Sequence, residues 1–210
     1  MRALVVYSHP RPQSFTAAVR DLVVRKLLEA GAEVRVRDLY AEGFDPRLTS
    51  EDWECYEDEA TNCDRVSDHV DDIRWCDALI FVYPTWWYGL PAMMKGWLDR
   101  VLLPGVAFAM PELNKGIRPK LTHITRLGVF TTCGATWWLT RWIGSPGRRT
   151  LLRGVRILCA PRTRTAFAAQ YLMDSSTDAA RAVHLARVGR KMDKLIGRGS
   201  QAAPARPATA

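Results

Sequence analysis

The sequence predicts an α/β domain, a five-stranded parallel sheet with helices on both faces. Three observations predict it. Short runs rich in β-branched and aromatic residues alternate with longer stretches whose apolar residues recur at helical spacing. One run, Ala78-Leu-Ile-Phe-Val-Tyr83, is apolar without interruption, as in a strand covered on both sides. That run, a short loop and an amphipathic helix follow one another directly, which is the repeating unit of a parallel α/β sheet.

In chain order, residues 3–7 form the first strand. After the loop Ser8-His-Pro-Arg-Pro-Gln-Ser14, Ser14 is a good N-cap for a helix. Its buried stripe is Phe15, Ala18, Val19, Leu22, Val23 and Leu27, and Gly31 ends it. Residues 33–37 alternate polar and apolar, which predicts a second strand with one less-buried face. Residues 49–77 are acidic, and 66–75 reads as a helix leading into the third strand, 78–83, which Pro84 stops. Pro91 is placed at the first position of the next helix, where the missing N–H costs nothing. Met94, Trp97, Leu98, Val101 and Leu102 are its inner side, and Pro104-Gly105 stop it. A loop over 109–123 contains Gly116 and Pro119, with Lys115 and Lys120 beside them. The fourth strand spans 127–131. Trp138 and Trp142 share a helical face, 148–154 is expected to be a short helix, and 155–159 the fifth strand. Thr177 caps a last helix running to about Ile196. Residues 1–199 thus make one domain, and the Ala/Pro-rich 200–210 is expected to be a disordered tail.

Composition narrows the function classes. With 210 residues, 48% hydrophobic and 25% charged, the chain is an ordinary globular domain with room for a full core. No apolar run approaches the ~18–20 residues a membrane span needs. The chain opens directly into a strand with no leader pattern, so a cytoplasmic protein is expected. The five cysteines are odd in number and form no Cys-x-x-Cys pair, which argues against a disulfide framework and against a zinc site. The net charge of +8 lies in the C-terminal half. No nucleic-acid motif accompanies it, so a solvated face and an anionic cofactor are the better explanations.

The candidate site follows from where loops leave the sheet. In open α/β sheets ligands bind at the carboxyl ends of the strands. The loop after the first strand runs into a helix N-terminus, a natural phosphate site, and His9, Arg11, Ser14 and Thr16 can add donors. The loop after the third strand, Pro84-Thr-Trp-Trp-Tyr88, carries three aromatics that either line a ligand or plug a neighbouring core. The loop after the fourth, Thr131-Thr-Cys-Gly134, has small residues that let backbone N–H groups approach a ligand closely. Trp137 and Trp138 follow it, either as pocket wall or as core. Cys133 is also a candidate redox thiol, without a second cysteine near it in sequence.

The segments Ser8-His9-Pro10 with Ser14-Phe15, Pro84-x-Trp86-Trp87-Tyr88-Gly89-x-Pro91, Lys95-Gly96-Trp97-x-Asp99-Arg100-Val101 and Pro104-Gly105-x-Ala107-Phe108 resemble the NAD(P)H:quinone oxidoreductases, the flavodoxin-like flavoproteins that include DT-diaphorase. The resemblance covers roughly residues 3–160. It implies the strand order 2-1-3-4-5 and a tightly bound FMN or FAD. His9, Ser14, Phe15 and Thr16 would then hold the phosphate. Pro84, Thr85, Trp86, Trp87 and Tyr88 would lie along the flavin, and Thr131, Thr132, Cys133 and Gly134 would meet its polar edge. Cys133 stands where the family has a glycine. The resemblance also implies NAD(P)H as co-substrate, a quinone-like acceptor and a homodimer; Trp137 and Trp138 are expected to line the acceptor pocket by stacking, with core packing as their rival role. Two other roles of relatives remain beside the enzyme: a regulatory subunit of a potassium efflux system, and a small electron carrier. Animal members carry a tyrosine and a histidine after the glycine loop, where this chain has Leu139 and Ser145, so no catalytic acid is assigned.

Overall fold

The computed structural model describes residues 1–110 and 116–197. Lys115 and the 200–210 tail lie outside them. The elements are β1 (Arg2–Tyr7), α1 (Phe15–Glu29), β2 (Glu33–Asp38), α2 (Ser50–Glu54), α3 (Ser67–Trp75), β3 (Ala78–Thr85), α4 (Ala92–Val101), β4 (Phe108–Ala109), β5 (Arg118–Pro119), β6 (Arg126–Cys133), α5 (Trp137–Trp142), α6 (Pro146–Arg149), β7 (Arg164–Gln170) and α7 (Asp178–Ile196). The main sheet is parallel with order β2-β1-β3-β6-β7, and β4 and β5 make a separate antiparallel pair.

Both faces of the sheet are covered, and alternation along the central strands divides the side chains between two cores. Ala3, Val5 and Tyr7 of β1 and Ala78, Ile80 and Val82 of β3 meet α1 and α7. Leu4, Val6, Leu79, Phe81 and Tyr83 point the other way, toward α3, α4 and the segment 151–159. This double burial is why β3 has no polar residue before Thr85.

The second core is bolted together at α4. Trp97 is fully buried, edge-on to Phe81, and its Nε1 donates to His69 Nδ1 at 3.2 Å. Burial pushes the His69 imidazole down to about 4, so at neutral pH the ring is neutral and can accept that bond. Arg100 donates to the Asp45 carbonyl at 2.6 Å and pairs with Asp52 at 3.2 Å. These contacts draw the 44–46 loop onto α4 at Gly96, which has no Cβ to hold it off. Pro91 is the N-cap of α4 with extended backbone; the first helical residue is Ala92, one position later than the sequence pattern indicated.

The expected fifth strand at 155–159 is a correction. Residues 146–158 are one helical stretch, α6 passing into a π-helical turn (Thr150–Val155) and a 3-10 turn (Arg156–Leu158). Leu151, Val155 and Cys159 recur every four residues and are buried, while Arg149 before them and Arg153 and Arg156 between them are exposed. That is a helical period, and it overrides the strand preference of Val155 and Ile157. The fifth strand is β7, an edge strand, whose Ala166 and Ala168 are small enough for α7 to pack closely.

Among the described residues no helix is long and apolar enough to cross a membrane, and no group of three or more His, Cys, Asp or Glu side chains could hold a metal.

Candidate functional site

Three loops leave the carboxyl ends of β1, β3 and β6 side by side, because those strands are neighbours in the sheet. Hydroxyl pairs tie them together. Thr16 Oγ1 lies 3.2 Å from Thr132 Oγ1, and Thr85 Oγ1 lies 2.8 Å from Thr131 Oγ1. The first joins the start of α1 to the end of β6, the second the end of β3 to the same strand. Thr16, Thr131 and Thr132 are all buried, so these bonds are shielded from competing water.

The β1 loop ends in the N-cap. Ser14 Oγ accepts from the Ala17 N–H at 3.1 Å and lies 3.3 Å from the Tyr7 hydroxyl. The first turn of α1 contains no acid, so the helix carries no side chain of its own to neutralise the positive end of its 15 residues. His9 Nδ1 accepts from the Arg11 N–H at 3.0 Å. That bond assigns the ring proton to Nε2, which is left as a donor. Burial holds the His9 imidazole below its usual range, with the nearby Arg11 charge pushing the same way.

The β3 loop is a tight turn. The Gly89 N–H donates to the Trp86 carbonyl at 3.0 Å, and Trp87 and Tyr88 between them have φ of 49° and 61°. Two positive φ values define the type I′ turn, which ordinarily takes Asn-Gly. Placing two bulky aromatics there costs on the order of 1–3 kcal/mol each. The result is a Trp87 ring 95% exposed at the mouth of a cleft, with Trp86 also exposed beside it. These two rings do not plug a core of this chain. The third loop ends in Gly134, where a Cβ would come within 2.5 Å of Asp174 Oδ2. Glycine is what allows the acid to reach this backbone.

Together the loops enclose a cleft of about 520 Å³ lined by His9, by Pro84 through Tyr88, by Thr132 through Ala135, and by Met173 and Asp174. Among the residues singled out from the sequence, Ser14, Thr16 and Thr131 do not line this cleft: Ser14 caps α1, Thr16 pairs with Thr132, and Thr131 braces Thr85. Phe15 faces α7, 5.9 Å from the His184 ring. Trp137 and Trp138 open α5 just beyond the cleft, 60% and 63% exposed, so neither is core. Cys133 is buried, with Sγ 3.7 Å from Thr140 Oγ1. Met173 and Asp174 were missed from sequence because the strand they follow was misplaced. The Leu172 N–H donates to the Ala135 carbonyl at 3.2 Å and brings their turn against the β6 loop.

The residues fit a flavin. Among the described residues Ser8 Oγ is buried at the base of the phosphate loop without a partner, and the first turn of α1 beside it carries no acid.

The family model for the flavodoxin-like fold matches residues 1–192. The chain is similar to ribosyldihydronicotinamide dehydrogenase [quinone] of Rattus norvegicus, 33% identical over 159 residues, 67% of each chain. With the Pongo abelii protein of the same name it is 34% identical over 127 residues, 52% of this chain and 54% of the other. The match thus spans about half the length of several curated relatives. Among solved structures, the NAD(P)H:quinone oxidoreductase from Methanothermobacter marburgensis superposes with a TM-score of 0.77 at 26% identity, covering 93% of this chain and 96% of that one.

Proposed function

The chain belongs to the flavodoxin-like fold family, and on that premise we propose that it is a flavin-dependent NAD(P)H oxidoreductase that passes two electrons to a quinone or similar aromatic acceptor. The observation that carries this reading is the joining of the three loops by the Thr16–Thr132 and Thr85–Thr131 hydroxyl pairs into one cleft. The similarity to proteins named as quinone dehydrogenases supports the substrate class.

A bound flavin supplies the redox chemistry, taking a hydride from NAD(P)H and giving two electrons to the acceptor. The protein binds and orients. The N–H groups at the start of α1, His9 Nε2–H and the hydroxyls of Ser8 and Ser14 would hold the phosphate. Backbone N–H groups from Thr132 to Gly134 would face the ring's polar edge and stabilise negative charge there, as an oxyanion hole does. The Asp174 carboxylate, set against Gly134, offers an acceptor to an N–H on that edge. Trp86 and Trp87 present aromatic faces at the mouth for a flat substrate.

One pocket for both substrates predicts ping-pong kinetics in an NAD(P)H–quinone assay with flavin-loaded protein. Flavin-loaded protein that oxidises no NAD(P)H would leave a carrier or regulatory role instead. In the same assay Trp137→Ala and Trp138→Ala are expected to raise the acceptor KM. Because both rings are largely exposed, stability should stay within about 0.5 kcal/mol of the parent. An unchanged KM in both variants would remove them from the acceptor site.

The exposed Trp53 and Trp137 also favour a homodimer, since large exposed apolar side chains ordinarily mark an interface. The expected solution mass at micromolar concentration is twice the 23.7 kDa chain; a monomer mass contradicts it.

A further inference from the structure

From Arg141 to Met173 the chain contains seven arginines and no acid, which accounts for nearly all of the net charge of +8. All seven arginines are exposed, and among the described residues none forms an ion pair. This is unlike the rest of the chain, where most basic side chains near an acid are paired: Arg20 with Asp21 and Asp38, Arg35 and Arg37 with Asp72, Lys26 with Asp193. The centre of the segment is the helical stretch 146–158. Its inner side, Leu151 and Val155, is buried, and its outer side carries Arg149, Arg153 and Arg156 with Ile157, which is 73% exposed. Trp142, 81% exposed, lies just before it. At its other end Gly147 packs against the backbone of Gly89, so the stretch begins beside the Trp86–Gly89 turn at the cleft mouth.

We propose that this arginine face, with Trp142 and Ile157 as apolar contacts, docks the protein reversibly on an anionic lipid surface. Basic side chains on a helical face bind anionic headgroups additively, and exposed tryptophan and isoleucine beside them enter the headgroup boundary. Nucleic acid matches the charge equally but leaves Ile157 without a role, because an aliphatic side chain has no base to stack on in the way an aromatic does. A two-fold interface centred here would set like charges against each other. The inference rests on the proposed activity for its purpose: quinone acceptors are lipophilic, and a cleft mouth held at the membrane meets them where they dissolve.

The test is co-sedimentation of the full-length protein with phosphatidylglycerol-containing vesicles and with pure phosphatidylcholine vesicles at about 0.1 M salt, where charge screening is moderate. Binding to the anionic vesicles alone, weakening as salt rises, is expected. The variant R149Q/R153Q/R156Q should lose on the order of 100-fold in partitioning, and W142S/I157S should bind less with an unchanged salt dependence. Circular dichroism and turnover with a soluble short-chain quinone should be unaffected, since none of these residues lines the cleft. Equal binding to both vesicle types overturns the proposal. So does undiminished binding by the arginine variant, or binding to duplex DNA but not to vesicles. Vesicle binding by a protein without quinone reductase activity would instead overturn the activity and leave the docking standing.

Discussion

Gly96→Ala is expected to cost at least about 3 kcal/mol of stability, although alanine is the better helix former by about 1 kcal/mol. An alanine Cβ at this position would overlap the carbonyl oxygen, Cα and Cβ of Pro46, closer than real atoms come. The obstacle is backbone and a rigid ring, so neither can rotate aside. The two sides cannot simply separate, because Arg100 of α4 anchors the 44–46 loop through the Asp45 carbonyl and is itself held by Asp52 of α2. Overpacking ordinarily costs about 1–3 kcal/mol and more where the clash is with backbone. A loss of this size is a large part of the 5–15 kcal/mol typical of a whole domain. Urea unfolding measures it. A midpoint equal to or above the parent's would mean that α4 and the 44–46 loop do not approach as described.

His9→Ala combined with Ser14→Ala is expected to weaken flavin binding by about two to four orders of magnitude. Hydrogen bonds to a charged group contribute about 1.5–3 kcal/mol each, and the double variant removes two donors to the phosphate. Part of the effect is indirect. Ser14 is also the cap of α1, and losing a cap costs about 1 kcal/mol of helix stability and loosens the N–H groups that face the anion. A Ser14→Asn variant keeps a capping oxygen. If it restores stability without restoring flavin affinity, the hydroxyl acts on the phosphate; if the double variant binds flavin as the parent does, the phosphate lies elsewhere.

Legibility in the sequence followed the strength of local periodicity. β1 and α1 are plain because each is a long run with one pattern and a clear stop, the Ser8-His-Pro loop and Gly31; β3 is plain from its unbroken apolar run, although it continues through Pro84 to Thr85 and does not stop at the proline. The fifth strand is not. Val155-Arg-Ile-Leu-Cys159 has the residue types of a strand but the burial period of a helix, whereas Arg164–Gln170 is rich in alanine, which has weak strand preference of its own. Its place at the sheet edge is set by packing under α7, a tertiary effect that no local window contains. The site was legible to the same degree. Loops following correctly placed strands supplied His9, Trp86 to Tyr88 and Thr132 to Gly134, while Met173 and Asp174 follow β7 and were lost with it. The pairing of Thr16 with Thr132, 116 residues apart, also has no local signal.

The measurement that bears most directly on the central claim is the identification of whatever the purified protein binds in its cleft. The protein is denatured and its supernatant analysed for FMN and FAD by absorbance and chromatography, and stripped protein is titrated with each. The account predicts a yellow protein that releases close to one flavin per chain and rebinds it, with His9→Ala/Ser14→Ala reducing the affinity. A colourless protein that binds neither FMN nor FAD when stripped and resupplied would contradict it.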